Sequence, residues 1–235
     1  MSLLLTYETW DEEKAKEIEK NFHDSLDCLK WAFQHYGDEL IYACSFGMEG
    51  IVLIDLISKL KKDIRVVFLD TGLHFQETYM LIEKVRKRYP DMRLEMIQPK
   101  LSLAEQAEKF GGELWRKHPD QCCYLRKIKP LEEVLQNVPA WISGLRREQS
   151  ETRKRFNYLN RDYKFRSVKI CPLIHWTKKE IQMYIHLHQL DYNELHDRGY
   201  PSIGCKPCTF PATDPSDDRS GRWLHCDKTE CGLHV

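Results

Sequence analysis

The chain has 235 residues, with 36 Lys+Arg against 36 Asp+Glu, 42% hydrophobic and 31% charged. That is enough for one domain with its own core, it excludes a disordered chain, and it leaves no net field to draw the protein onto nucleic acid or an anionic membrane. Nine cysteines, an odd number that includes an adjacent pair and a Cys-x-x-Cys, argue against a secreted disulfide framework and for metal, cluster or redox chemistry.

The opening Met1-Ser-Leu-Leu-Leu-Thr-Tyr is too short for the apolar segment of an export signal, and no stretch approaches the ~20 apolar residues of a bilayer span. A protein of the reducing cytoplasm, without nucleic-acid or membrane partner, is expected. Ala15, Ile18, Phe22, Leu26, Leu29 and Ala32 recur at helical spacing and predict one or two amphipathic helices over residues 11–35. The apolar run 40–44 then reads as a strand, 45–50 as a glycine-bearing loop and 51–60 as a helix. A buried strand over 64–69 closes in the turn Asp70-Thr71-Gly72, a helix over 76–88 is stopped by Pro90, and 93–97 is a third strand.

This alternation predicts an α/β fold: a mainly parallel sheet with helices on both faces, whose ligands sit at the carboxyl ends of the strands. Residues 45–50 and 70–74 fall there. The helical region 101–135 carries Cys122 and Cys123, and a strand over 140–143 runs into Gly144, Arg146, Arg147 and Arg153. Residues 167–171 form another strand, and Thr177 with Glu180 makes a capping box opening a helix through His188. From Asp197 onward the composition shifts to Gly, Pro, Asp, Ser and Cys. The expected organisation is one α/β nucleotide-binding and cysteine-bearing domain over 1–208 and a mobile tail over 209–235.

Several of these residues could carry chemistry. Ser45-Phe-Gly-Met-Glu-Gly50 at a strand-to-helix turn is either an ordinary tight turn or a cradle in which backbone N–H groups meet phosphate oxygens. It lacks the lysine of a Walker loop. Asp70-Thr71-Gly72 is an ordinary turn or the wall of a nucleoside site. Arg146, Arg147, Arg153, Arg219 and Arg222 offer planar donors to phosphate or sulfate, or else form a solvated face. Cys122-Cys123 with Cys205-Lys-Pro-Cys208 gives four thiols in two pairs. Adjacent ligands would strain around one zinc, whereas a cubane spreads its ligands over four irons; a vicinal disulfide or buried free thiols are the alternatives. Lys127, one turn beyond Cys123, would point a cation toward cluster and substrate. Cys28, Cys44 and Cys171 read as core. Cys226 and Cys231 lie in the polar tail, where a thiol is either incidental or able to swing into a cleft. His234 reads as a metal ligand, a surface residue or a cation favouring the thiolate.

Six motifs in order, from Ser45-Phe-Gly-Met-Glu-Gly, Leu69-Asp-Thr-Gly-Leu-His-Phe and Cys122-Cys-Tyr-Leu-Arg-Lys through Ser143-Gly-Leu-Arg-Arg-Glu-Gln-Ser and Gly199-Tyr-Pro-Ser-Ile-Gly-Cys-Lys-Pro-Cys to Glu230-Cys-Gly-Leu-His, resemble the assimilatory adenylyl-sulfate (APS) and phosphoadenylyl-sulfate (PAPS) reductases. The likeness runs from about Leu40 onward. It implies the PP-loop nucleotide-binding architecture, although Phe46, Glu49 and Gly50 depart from the S-G-G-x-D-S loop of ATP pyrophosphatases and argue against pyrophosphate cleavage. It implies Cys122, Cys123, Cys205 and Cys208 as ligands of a [4Fe-4S] cluster and Cys231 as the nucleophile that takes the sulfo group, with thioredoxin as reductant. It further implies that Ser45 and Gly47 meet the phosphate, that Asp70, Thr71 and Gly72 line the adenosine, and that Arg146 and Arg147 position the anion. Lys127, Arg219, Arg222 and His234 would surround the sulfate. The choice between APS and PAPS is not legible, and a homo-oligomer stays open. Two competing readings are an adenylating PP-loop enzyme with a structural zinc and a non-enzymatic metal-binding regulatory module.

Overall fold

The computed structural model describes residues 4–226 and 228–233. Its centre is a six-stranded sheet of β1 (Ile41–Ala43), β2 (Arg65–Leu69), β3 (Arg93–Ile97), β4 (Ala140–Ile142), β5 (Leu159–Asp162) and β6 (Ser167–Ile170). The order is β3-β2-β1-β4-β6-β5, parallel except for β5 against β6. From β1 the chain winds outward through β2 and β3, then returns to place β4 on the other side of β1. The order therefore reverses between β1 and β4, and a crevice opens beyond the carboxyl ends of those strands.

Period-two alternation gives the sheet two apolar faces. Tyr42, Val66, Phe68 and Ile142 join the larger core, with buried residues of α2 (Ser25–Tyr36), α3 (Met48–Ser58), α4 (Gln76–Arg88) and α9 (Lys178–Leu187). Ile41, Val67 and Trp141 face the other way, onto Ile128, Leu131 and Leu135 at α8 (Lys129–Leu135). Between the first strand pairings and β4 the chain also forms the short helices α5 (Leu103–Phe110), α6 (Leu114–Lys117) and α7 (Pro119–Cys123). An amphipathic α1 (Glu12–Glu19), capped by Asp11, precedes α2. Helices on both faces of a mainly parallel sheet are what the residue pattern predicts, as is the Thr177–Glu180 capping box of α9. Strand β5 was not expected. Its middle residues Asn160 and Arg161 are polar and half-buried, so it carries little of the apolar alternation that marks an inner strand.

Two local features shape the crevice. Gly50, in the first turn of α3, is packed so closely that a Cβ there would lie 2.9 Å from Cys44 Sγ, which lets α3 start directly against the end of β1. Residues 124–128, between α7 and α8, form one turn of π-helix, a widened turn that breaks the i,i+4 register and frequently marks functional positions. No helix among the described residues is long and apolar enough to cross a membrane.

Candidate active site

A cavity lies over the carboxyl ends of β1, β2 and β4, lined by Ser45, Gly47, Lys127, Arg146, Arg153, Arg219, Arg222 and Cys231 among others. On one side is the loop before α3. Phe46 takes a positive φ of 56° and buries its ring on Phe68, which leaves Ser45 exposed toward the cavity. Gly47 caps α3 without a side-chain hydrogen bond, so first-turn N–H groups are open to an anion.

The Asp70–Gly72 turn is placed differently from the expectation of a nucleoside wall. The Asp70 carboxylate accepts from Tyr79 Oη at 2.6 Å and from the Gly72 N–H at 3.0 Å. Thr71 is buried, with Oγ1 3.3 Å from Cys205 Sγ, and its carbonyl accepts from Arg126 Nε at 2.6 Å. The turn thus backs the cysteine segment, and from this strand it is Val67, Phe68, Leu69 and His74 that line the cavity. Burial, then the charge on Lys127, pushes the His74 imidazole down to about 4, so it is neutral at pH 7.

The arginines divide. Arg146 lines the cavity but is buried between carboxylates, donating from Nε to Glu49 at 2.8 Å and from Nη1 to Glu148 at 2.7 Å. Arg147 is not brought to the cavity; its guanidinium donates to the Phe156 carbonyl and to Asn157. Arg153 takes that side of the cavity instead. Arg222 donates to the Cys208 carbonyl and Ser202 Oγ and lies 4.3 Å above the Trp223 ring. Gly204 makes room for it, since a Cβ there would sit 2.5 Å from Arg222 Nη2. Arg219 donates to the Thr229 carbonyl and Glu230, and burial with Arg153 nearby pushes it down to about 10.

The tail closes the cavity. Glu230 is buried and accepts from Arg153, Lys164 donates to the Gly232 carbonyl at 2.5 Å and Lys169 to that of Leu233 at 3.5 Å. Leu233 packs on the Ile41–Val67–Trp141 face. Cys231 is thereby carried into the cavity wall. Burial works against its thiolate, but Lys127, the Leu233 N–H and Arg222 outweigh it and hold the thiol below its ordinary range. Burial likewise works against the Lys127 ammonium, and Cys205, Cys231 and Cys123 reverse that and hold it charged. The π-turn is what aims Lys127 at this point while Arg126 reaches Thr71. His234 lies outside the described residues.

Cys122, Cys123, Cys205 and Cys208 are all buried. Burial first, then the neighbouring thiols, pushes Cys122 up to about 12, Cys123, Cys205 and Cys208 each contributing, and Cys208 similarly to about 12. Their sulfurs therefore share one region. Among the described residues, however, no three His, Cys, Asp or Glu side chains are gathered tightly enough to hold a single metal ion. Four all-sulfur donors are a set that thiolate-bound iron-sulfur centres and structural zinc sites both use.

The Phosphoadenosine phosphosulfate reductase domain matches residues 39–211. The chain belongs to that family. Adenosine 5'-phosphosulfate reductase of Geobacillus thermodenitrificans (strain NG80-2) is 60% identical over 234 residues, covering 99% of this chain and 100% of its own. Adenosine 5'-phosphosulfate reductase 2 of Bacillus subtilis (strain 168) is 57% identical, covering 100% and 99%. Among solved structures, phosphoadenylyl-sulfate (PAPS) reductase from Candida auris superposes with a TM-score of 0.75 at 29% identity, over 86% of this chain and 98% of that one. Candida glabrata FMN adenylyltransferase, at 16% identity and a TM-score of 0.61, shares the fold alone. The reductase family accounts for the motif order read from the sequence. Sequence reasoning passed over Arg126 and the lysines Lys164 and Lys169, and gave Glu49 and Glu230 no role in holding Arg146 and Arg153. Of these, Glu230 carried a signal, as an acid directly before a tail cysteine.

Proposed function

We propose that this chain reduces adenosine 5'-phosphosulfate to sulfite and AMP in the cytoplasm, with Cys231 as nucleophile and thioredoxin as the dithiol reductant. The Cys231 thiolate attacks the sulfur of the sulfo group, the S–O bond to AMP breaks, and AMP leaves with that electron pair. A thioredoxin thiolate then attacks Cys231 Sγ; the bond to the sulfo group breaks and sulfite leaves with its electrons. A second thioredoxin thiol resolves the mixed disulfide, so two thiols supply the two electrons that take sulfur from sulfate to sulfite.

The observation that carries this reading is a single one: the thiol of Cys231, favoured as thiolate by Lys127 and Arg222, sits in a cavity rich in cations. Those cations offset the repulsion between a thiolate and an anionic substrate. Ser45, Gly47 and the start of α3 would take the phosphate, Arg219 and Arg222 the sulfo end. After attack the tail must leave the cavity for thioredoxin to reach Cys231, which is the role of a mobile segment over 209–235. Cys122, Cys123, Cys205 and Cys208 would hold a [4Fe-4S] cluster, which when bound ties the two cysteine segments together and adds a fixed electrostatic element beside Lys127.

APS is favoured over PAPS as the substrate because the relatives at 57–60% identity carry that name, whereas the PAPS reductase likeness is at 29%. The decisive experiment is intact-mass analysis of the anaerobically purified protein mixed with APS and no reductant. One added SO3 on Cys231 is expected, released as sulfite by thioredoxin; no adduct, or an adduct elsewhere, overturns the proposal. Parallel reactions with PAPS settle the substrate.

A further inference from the structure

We infer that His196 is a substrate-binding residue whose Nε2 hydrogen-bonds an uncharged polar group, a sugar hydroxyl or the base amine, on the nucleoside part of the nucleotide. The inference rests on reading the cavity as a sulfonucleotide site. Among the described residues three buried side-chain polar atoms have no hydrogen-bond partner, Arg161 Nε, His196 Nε2 and Trp223 Nε1, and two of these three residues line the cavity. Buried polar atoms are nearly always paired, so an orphan in a cavity wall marks a place where a ligand supplies the partner.

The two orphans occupy different ends. Trp223 packs on Cys205, Cys208 and Cys231 and lies under Arg222. His196 lies toward Glu49, Asp197 and Lys178, whereas the main influences on Cys231 come from Lys127, Arg222 and Glu230. With the sulfo group at Cys231, the AMP part of the nucleotide is left for the His196 end. The ring is rigidly presented. It sits on the short turn Glu194–Arg198, which Asn193 caps by accepting from the Leu195 N–H while donating to Thr78 Oγ1 at 3.1 Å. Burial holds the imidazole below its ordinary range, outweighing Glu49 and the Tyr200 backbone, so a neutral ring faces the ligand. A neutral donor or acceptor suits a hydroxyl or amine rather than a phosphate.

The test is calorimetric binding of AMP, 2'-deoxy-AMP, 3'-deoxy-AMP and purine riboside 5'-monophosphate to wild type, His196→Phe and His196→Gln. Wild type should bind one of the three analogues about tenfold more weakly than AMP, which identifies the group. His196→Phe should bind AMP about tenfold more weakly and lose that discrimination. In His196→Gln, whose amide reaches the Nε2 position, part of it should return; this variant decides the matter if the phenylalanine variant does not fold. Undiminished discrimination, or wild-type AMP affinity in the variants, overturns the assignment alone. Failure of wild type to bind AMP overturns the assignment together with the reading of the cavity.

Discussion

The carboxylate of Glu230 accepts Nε of Arg153 at 2.9 Å and Nη2 at 3.0 Å, a buried two-point contact one residue before the thiol that the cavity receives. Arg219 and Ser150 add further donors at 3.2 and 3.1 Å. The tail is thus fixed from its side chains at Glu230 and from its backbone at Gly232 and Leu233.

Removing one partner of a buried ion pair leaves the other charged and unpaired, at a cost on the order of 3 kcal/mol. Glu230→Gln should therefore loosen residues 228–233 without unfolding the sheet. Faster amide exchange confined to that segment, with a fall in kcat and unchanged AMP binding, is the expected outcome. Uniform destabilisation across the chain would show that the pair supports the fold instead of the tail.

The same contact sets a pH dependence. Burial pushes the Glu230 carboxyl up, but the hydrogen bond and charge of Arg153, then Arg219, outweigh it and hold the group below its usual value. A depressed carboxylate contributes stability that is complete above the unfolded pKa and is lost as pH falls through the folded one. The tail should stay docked through neutral pH and release only in acid. A carbon-13 titration of the Glu230 carboxyl checks this, a midpoint above that of free glutamate being the contrary result.

Lys127 lowers the Cys231 pKa, so Lys127→Met should raise it. The rate of Cys231 alkylation, followed against pH, should shift its midpoint upward in the variant, with a parallel loss of sulfite production. Cys231→Ser should abolish sulfite release while AMP binding persists. An unchanged alkylation midpoint in the lysine variant would remove Lys127 from the thiolate's surroundings.

Protein purified without air should be brown, with a broad band near about 400 nm from thiolate-to-iron charge transfer. Replacing Cys122, Cys123, Cys205 or Cys208 by serine should bleach it and lower thermal stability together, since the thiols join two packed segments. A colourless, zinc-containing preparation would overturn the cluster.

Much of this was legible in the residues, and the reasons for the remainder are physical. Helix α4 and strand β3 fall where their apolar spacing ends at Pro90 and resumes at Arg93, because those signals are local. The adjacent arginines 146, 147 and the nearby 153 could not be told apart from spacing. Two short 3-10 turns, Arg147–Gln149 and Glu151–Arg153, rotate Arg147 toward residues 156–157 and bring Arg153 round to Glu230. Such turns have no apolar period to read. Lys127 was legible as one helical turn past Cys123, although the turn is a wide π-turn, not a regular one. The role of His196 depends on a partner missing from the protein, which no local pattern encodes.

Leu233 rests on the sheet face formed by Ile41, Val67 and Trp141, so one apolar surface serves both as interior for the body and as seat for the reactive end. Trimming Val67 or Trp141 would then disturb folding and thiol placement by the same displaced atoms. A change that serves one property is therefore felt in the other, even though none of these side chains is charged.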